Sequence, residues 1–262
     1  TSHCKHIEFI IIKILDQNNI GYSRALVEGL KYIIPFSVDI VNMSLAVLCD
    51  EYKKEIEVLC SRIRDNGAII NVSVLNHAST SFPASLDSTL GIRGAFNVDP
   101  YKILYNAKNE IQCVSNLTPV LVSNIDCKKT FFGGNSKATA LVSGLLAKAM
   151  YTMQIDGENA LKSLVIKTDW CEDDIQKEFT VQNKEKVGVE LLALSEQVCD
   201  FLKFNKKQRE NILERTLFPP SIYIEKEQFI CLIEYLSAFY HKEVILGQFE
   251  ISNLSTISSI YR

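Results

Sequence analysis

The chain reads as an α/β protein, a doubly wound and mostly parallel sheet followed by a small all-α helical bundle. Two observations predict this. Three β-branched runs alternate with two amphipathic stretches over the first 75 residues, the spacing of parallel strands joined by right-handed crossovers. Beyond Met150 the pattern turns irregular and then wholly helical. Glu8 to Leu15 (EFIIIKIL) has the character of a strand buried on both faces. Ser23 to Ile34 supplies a helix with Leu26, Leu30, Ile33 and Ile34 on one side, and Ser23 is its expected N-cap. Val38 to Leu45 is the second strand. Tyr52 to Arg64 is a helix closed by Asp65-Asn66-Gly67, and Ala68 to Leu75 is the third strand. Leu90 to Phe96 and Ile111 to Val122 read as further strands. A glycine turn, Gly133-Gly134, then enters an alanine-rich helix from about Ser136 to Met150.

Composition bounds the function classes. At 262 residues, one large or two ordinary domains are expected, since domains run to about 150 residues. The chain is 47% hydrophobic and 23% charged, so it can bury a core. A net charge of −3 argues against a nucleic-acid partner. No apolar run reaches the ~18 residues that a membrane span needs. The eight cysteines are scattered singly, without CxxC pairs or histidines at metal-ligand spacing, so no metal and no cofactor is expected. Most should be buried thiols. With no leader evident, they point to a reducing, cytoplasmic compartment.

The carboxyl ends of parallel strands are where ligands gather, and Ser44-Leu45 and Asn76 fall there. Ser136 stands where the glycine turn enters its helix. Its plain role there is to cap the helix. Its chemical role would be that of a nucleophile, favoured because free N–H groups at a helix N-terminus stabilise an oxyanion. For Asn76 the plain role is that of a residue in a strand-end turn.

The string Gly134 to Gly144, GNSKATALVSG, resembles the nucleophile motif of the subtilisin-like serine proteases, Gly-Thr-Ser-Met-Ala-(Thr/Ser)-Pro-x-Val-(Ala/Ser)-Gly. Three more segments follow the family order. IIIKILD precedes a helix, VDIVNMSL matches the cleft-lining strand, and NVSVLN is followed by SFPASLDSTLGIRG. The resemblance spans about residues 7–150 and implies a subtilisin-like sheet and a peptide or protein substrate. It also implies Ser136 as nucleophile and Asn76 as side-chain donor to the oxyanion. Ser44, Leu45, Ala46 and Leu75 would lie along the substrate.

The departures matter as much. The family's catalytic aspartate and histidine lie upstream of the Glu8 to Leu15 strand, in an Asp-(Ser/Thr)-Gly turn and a His-Gly-Thr helix, and neither motif occurs here. His3, His6, His77 and His241 are each expected at the surface. A serine without a base is a weak nucleophile. Three explanations stay open: an absent upstream segment, a base from another polypeptide, or a pseudoprotease that binds peptide without cutting it. Leu75 and Ala46 replace family glycines and would narrow the cleft. Lys137 replaces a methionine, Asn135 a threonine and Ala140 a proline.

The expected division is an α/β domain over 1–167, a linker over 168–186 and a helical domain over 187–262. The helical segments LLALSEQVCDFLKF, EKEQFICLIEYLSAFYHKEV and NLSTISSIY resemble an acyl or peptidyl carrier protein. A working carrier needs Asp-Ser-Leu at the start of its second main helix, where this chain has Glu225-Lys226-Glu227. Ser221, after Pro219-Pro220, reads as a loop or cap residue. The resemblance implies a docking module without its prosthetic group, and with it a partner protein in a biosynthetic pathway that matures a peptide.

Overall fold

The computed structural model describes residues 3–96, 98–123, 128–175, 188–210, 212–214, 217, 224, 226–245, 247, 249–254 and 256–261. They form two compact units. The first comprises Thr1–Leu117 and Gly133–Lys177, the second Thr118–Phe132 and Glu178–Arg262.

In the first unit the elements are α1 (Ser23–Ile33), β1 (Ile40–Met43), α2 (Lys53–Asp65), β2 (Ile69–Ser73), β3 (Leu90–Ala95), β4 (Ile103–Tyr105) and β5 (Cys113–Asn116). Their sheet has the order β1-β2-β3-β5-β4 and then a last strand, Val165–Lys167. The pairs β1–β2, β2–β3 and β3–β5 are parallel, and β4 runs antiparallel to β5. Helices cover both faces. On β2, Ile70 and Val72, with Val74 just beyond, belong to the cluster under α1 and α2, whereas Asn71 bonds Ser143 on the opposite face. That alternation across the pleat is what gives a doubly wound sheet two cores.

The sequence and the structure part at the first strand. Among the described residues, 8–15 form no ladder. Ile12 and Ile14 contact Gly29 of α1, at 3.2 and 3.4 Å from where its Cβ would stand, while Phe9 and Ile11 on the alternate face are 63% and 86% exposed. A run able to be buried on both faces is here packed on one, because no strand pairs with it. Ser23 is not the cap of α1. Tyr22 holds that place without a side-chain bond, and Ser23 is the first helical residue. The run from Ile111 to Val122 is cut in two: β5 stays in the first unit, and β6 (Val120–Ser123) pairs antiparallel with β7 (Lys129–Phe132) in the second.

After β7 come α3 (Gly134–Met153), α4 (Gly157–Leu164), the edge strand β8 (Val165–Lys167) and α5 (Glu172–Ile175). The first part of the expected linker is not free. Trp170 is 4% exposed and donates from Nε1 to the Gln112 carbonyl at 2.8 Å. Lys167 Nζ holds the Asp174 carboxylate at 2.6 Å, and that bond keeps its pKa down at about 2.

The second unit carries α6 (Val189–Phe201), α7 (Lys206–Arg209), α8 (Lys226–Tyr240) and α9 (Ile257–Tyr261). Its core joins Leu194 and Val198 of α6, Leu232 of α8 and Ile257 of α9 to Leu121 of β6. That shared core is why Thr118–Phe132 groups with the helices, although it lies inside the sequence range read as the α/β domain. Ser221, Pro219, Pro220 and Glu225 lie outside the described residues, and Glu227 is exposed on α8.

Candidate active site

Parallel pairing in register aligns the strand ends. Ala95 at the end of β3 faces Asn116 at the end of β5, and Met43 at the end of β1 faces Val72 of β2. Ser44, Asn76 and Asn116 therefore leave the sheet at one edge, where α3 begins. Gly133 is the N-cap of α3 and makes no side-chain bond, so its first N–H groups need other acceptors. Ser136 is the third helical residue and is half-buried; the capping role open to it in the sequence is not the one it takes.

Asn76 supplies one acceptor. Its Oδ1 takes the Asn135 N–H at 3.1 Å, next to Gly134, whose φ of +72° requires a residue without a Cβ. With the oxygen so engaged, the amide presents its NH2 as a donor. Ser44 Oγ donates to the Ser136 carbonyl at 3.4 Å. The fold thus brings Ser44 to Ser136, 92 positions away in sequence, and Asn76 to Asn135 beside it, 59 positions away. Ser44, Leu45 and Ala46 run on past the end of β1, and Leu45 also packs against the cluster under α1 and α2. Leu75 is 44% exposed, its N–H held by Ser81 Oγ at 2.9 Å.

Three supports went unread in the sequence. Asn135 is buried and works as a staple, its Oδ1 accepting from Gly94 N–H at 2.8 Å and its Nδ2 donating to the Val74 carbonyl at 2.9 Å. It pins the ends of β2 and β3 to the turn that carries Ser136. Lys137 is also buried, with Nζ on the Asn116 carbonyl at 3.2 Å and on Asn116 Oδ1 at 2.8 Å. A polar chain runs from Asn71 to Ser143, on to Asn42 and then to Ser44, with links of 2.8, 2.8 and 3.3 Å. The signal for each was a polar residue where an apolar one would have packed, but only the fold supplies its partner.

Among the described residues no histidine or carboxylate hydrogen-bonds Ser136. His77 adjoins Asn76 and is exposed, with φ +66°; His241 is exposed in the second unit. His6 is exposed and stacks on Tyr151 at 4.3 Å between ring centroids. His3 is not the surface residue expected: it is half-buried and packs against Gly144 of α3. Burial, and then the charges of Lys137 and Lys148, hold its pKa below the usual 6.5. Among the described residues no group of three histidine, cysteine or acidic side chains is placed to hold a metal ion, and no helix is long and apolar enough to cross a membrane. Seven described cysteines are free thiols; Cys4, Cys60, Cys113 and Cys199 are buried, and burial pushes Cys60 up to about 12.

The arrangement is that of a parallel α/β domain whose carboxyl edge gathers a serine, a side-chain amide and a helix N-terminus. The model of the Subtilase family matches residues 3–192, and the chain belongs to that family. It is 27% identical over 151 residues to an intracellular serine protease of Paenibacillus polymyxa, a match covering 53% of this chain and 44% of that protein. The chain thus spans less than half the length of this curated relative. Among solved structures it is similar to Sphericase, at 17% identity and a TM-score of 0.48, covering 58% of this chain and 57% of that one. It is also similar to the S41 psychrophilic protease, at 14% identity and a TM-score of 0.46, covering 59% and 61%.

Proposed function

We propose that this chain carries the nucleophile side of a subtilisin-like serine peptidase site and acts on a peptide. The hydrogen bond from Asn135 N–H to Asn76 Oδ1 carries this reading, because it fixes a side-chain amide donor beside the serine. Ser136 attacks the scissile carbonyl, the Asn76 NH2 meets the oxyanion, and Ser44 to Ala46 offer an extended edge to the substrate backbone. The side chains of Leu75 and Ala46 narrow that cleft and favour a specific peptide over general degradation. A role in maturing a peptide product, with a partner protein docked on the helical unit, follows from the carrier resemblance. The free thiols support a cytoplasmic setting.

The base comes from polypeptide outside these residues. Two features support this: among the described residues β1 is paired on one side alone, and residues 8–15 have no partner strand. The second reading, a peptide-binding pseudoprotease, is favoured by the absence of any histidine or carboxylate bonded to Ser136 among the described residues. A fluorophosphonate probe separates the two. The chain, its Ser136→Ala variant and an upstream-extended polypeptide are treated in parallel, and the adduct is located by peptide mass spectrometry. Labelling at Ser136 in the extended polypeptide supports the peptidase. Its absence in every sample supports the pseudoprotease, and labelling of the chain alone would show that a base lies within it.

A further inference from the structure

The turn that carries Ser136 is bracketed by two passages of chain between the units. The chain leaves the first unit after Leu117 and returns at Gly133, and β6 and β7 pair antiparallel between, with Val120 opposite Phe132 and Ser123 opposite Lys129. A lone two-stranded hairpin is marginal in water. This one draws its order from the helical unit. Gly247 N–H donates to the Leu121 carbonyl at 2.6 Å, Leu121 N–H to the Phe249 carbonyl at 2.7 Å, and Ile251 N–H to the Pro119 carbonyl at 2.8 Å. Gly247 and residues 249–251 therefore lie along β6 as a third edge. Leu121 is fully buried in the cluster built by α6, α8 and α9, and Phe131 of β7 packs against the same cluster.

β7 runs into the serine turn directly. It ends at Phe132, Gly133 caps α3, and Ser136 is the third residue of that helix. Only Gly133, Gly134 and Asn135 lie between the end of β7 and Ser136. The other passage is tied to the same turn. Asn116 is the last residue of β5, just before the chain leaves, and it receives both hydrogen bonds from Lys137 Nζ. Asn116 is itself anchored through Nδ2 to the Val98 carbonyl at 2.8 Å. Lys137 thus closes the base of the excursion from the position next to Ser136.

We propose that the C-terminal helical unit is a conformational control element for the serine turn, acting through β7, with the buried Lys137–Asn116 clamp setting how far its order carries. While the helical core is folded, β7 is held in register and Gly133 to Ser136 are ordered. When it loosens, the turn loosens with it and Ser136 loses its alignment with Asn76. A protein that binds and loosens these helices would switch the serine off. The effect on reactivity rests on Ser136 being the nucleophile; the effect on order does not.

Hydrogen exchange read by mass spectrometry on the full chain tests it, in wild type and in Leu232→Asp, Ile251→Pro and Lys137→Met. Leu232→Asp breaks the helical core, and Ile251→Pro deletes a single donor, to the Pro119 carbonyl just before β6. In both, amides of 129–136 should exchange at least about tenfold faster while 69–73 and 90–95 keep their protection. In Lys137→Met, amides 133–136 should loosen while 189–201 and 226–240 stay protected. Wild-type exchange at 129–136 in a Leu232→Asp protein whose helices have lost protection would overturn the proposal. If Leu232→Asp also unprotects 69–73, Ile251→Pro decides alone. Fluorophosphonate labelling of the same variants in the extended polypeptide should slow in step with the exchange at 133–136. An unlabelled wild type counts against the peptidase reading and leaves the exchange result to judge this one.

Discussion

Asn76 is the residue on which the site turns. Its oxygen is committed to Asn135 N–H, so replacing it by alanine removes both an acceptor for the helix and a donor to the oxyanion. An amide donor of this kind is worth about 10²–10³ in the turnover of a subtilisin. Asn76→Ala should therefore lower the rate of Ser136 labelling in the extended polypeptide by about that factor, read from adduct formation against time, whereas Asn76→Asp leaves an acceptor without the donor and should rescue none of it. His3 offers a pH test. Its folded pKa lies below 6.5 because burial and two lysines oppose its protonation, so the unfolded chain takes up the proton first as pH falls. The stability it contributes is complete above about pH 6.5 and is lost as pH drops through the folded value. Denaturant midpoints at about pH 7 and pH 5 should differ less in His3→Gln than in wild type.

Elements were legible where sequence pattern and local packing agree. α1, α2, α3, α6 and α8 lie within a few residues of their expected bounds, since a helix satisfies its own backbone and needs only one apolar face. Strands need partners, and residues 8–15 show the consequence: a strong strand pattern that makes no ladder. The two faces of that run should respond differently to truncation. Ile12→Ala, at the Gly29 contact, should cost about 1–2 kcal/mol, while Ile11→Ala, at 86% exposure, should stay within about 0.5 kcal/mol of wild type. Denaturant titration of each variant in the chain checks this. A large cost at Ile11 would mean that its face is covered in solution. β4 and β8, three residues each, carry too little pattern to be seen beforehand.

At the scale of the molecule, each unit has its own core, and the assignment of Thr118–Phe132 to the second was invisible in the sequence because a hairpin's allegiance is decided by what covers Leu121 and Phe131. The sequence by itself determined the α/β class, the positions of β1, β2 and β3 along the chain, the helical character of the C-terminal third and the serine motif that places the chain among subtilases. These are readable because periodicity and short motifs are local. Only the tertiary structure decided that Asn135 staples two strands, that Lys137 clamps Asn116 and that the helical unit shares a core with the hairpin leading to Ser136. Each of these joins groups far apart in sequence, and a buried polar side chain reveals its role only when the fold brings up the partner that offsets the cost of removing it from water.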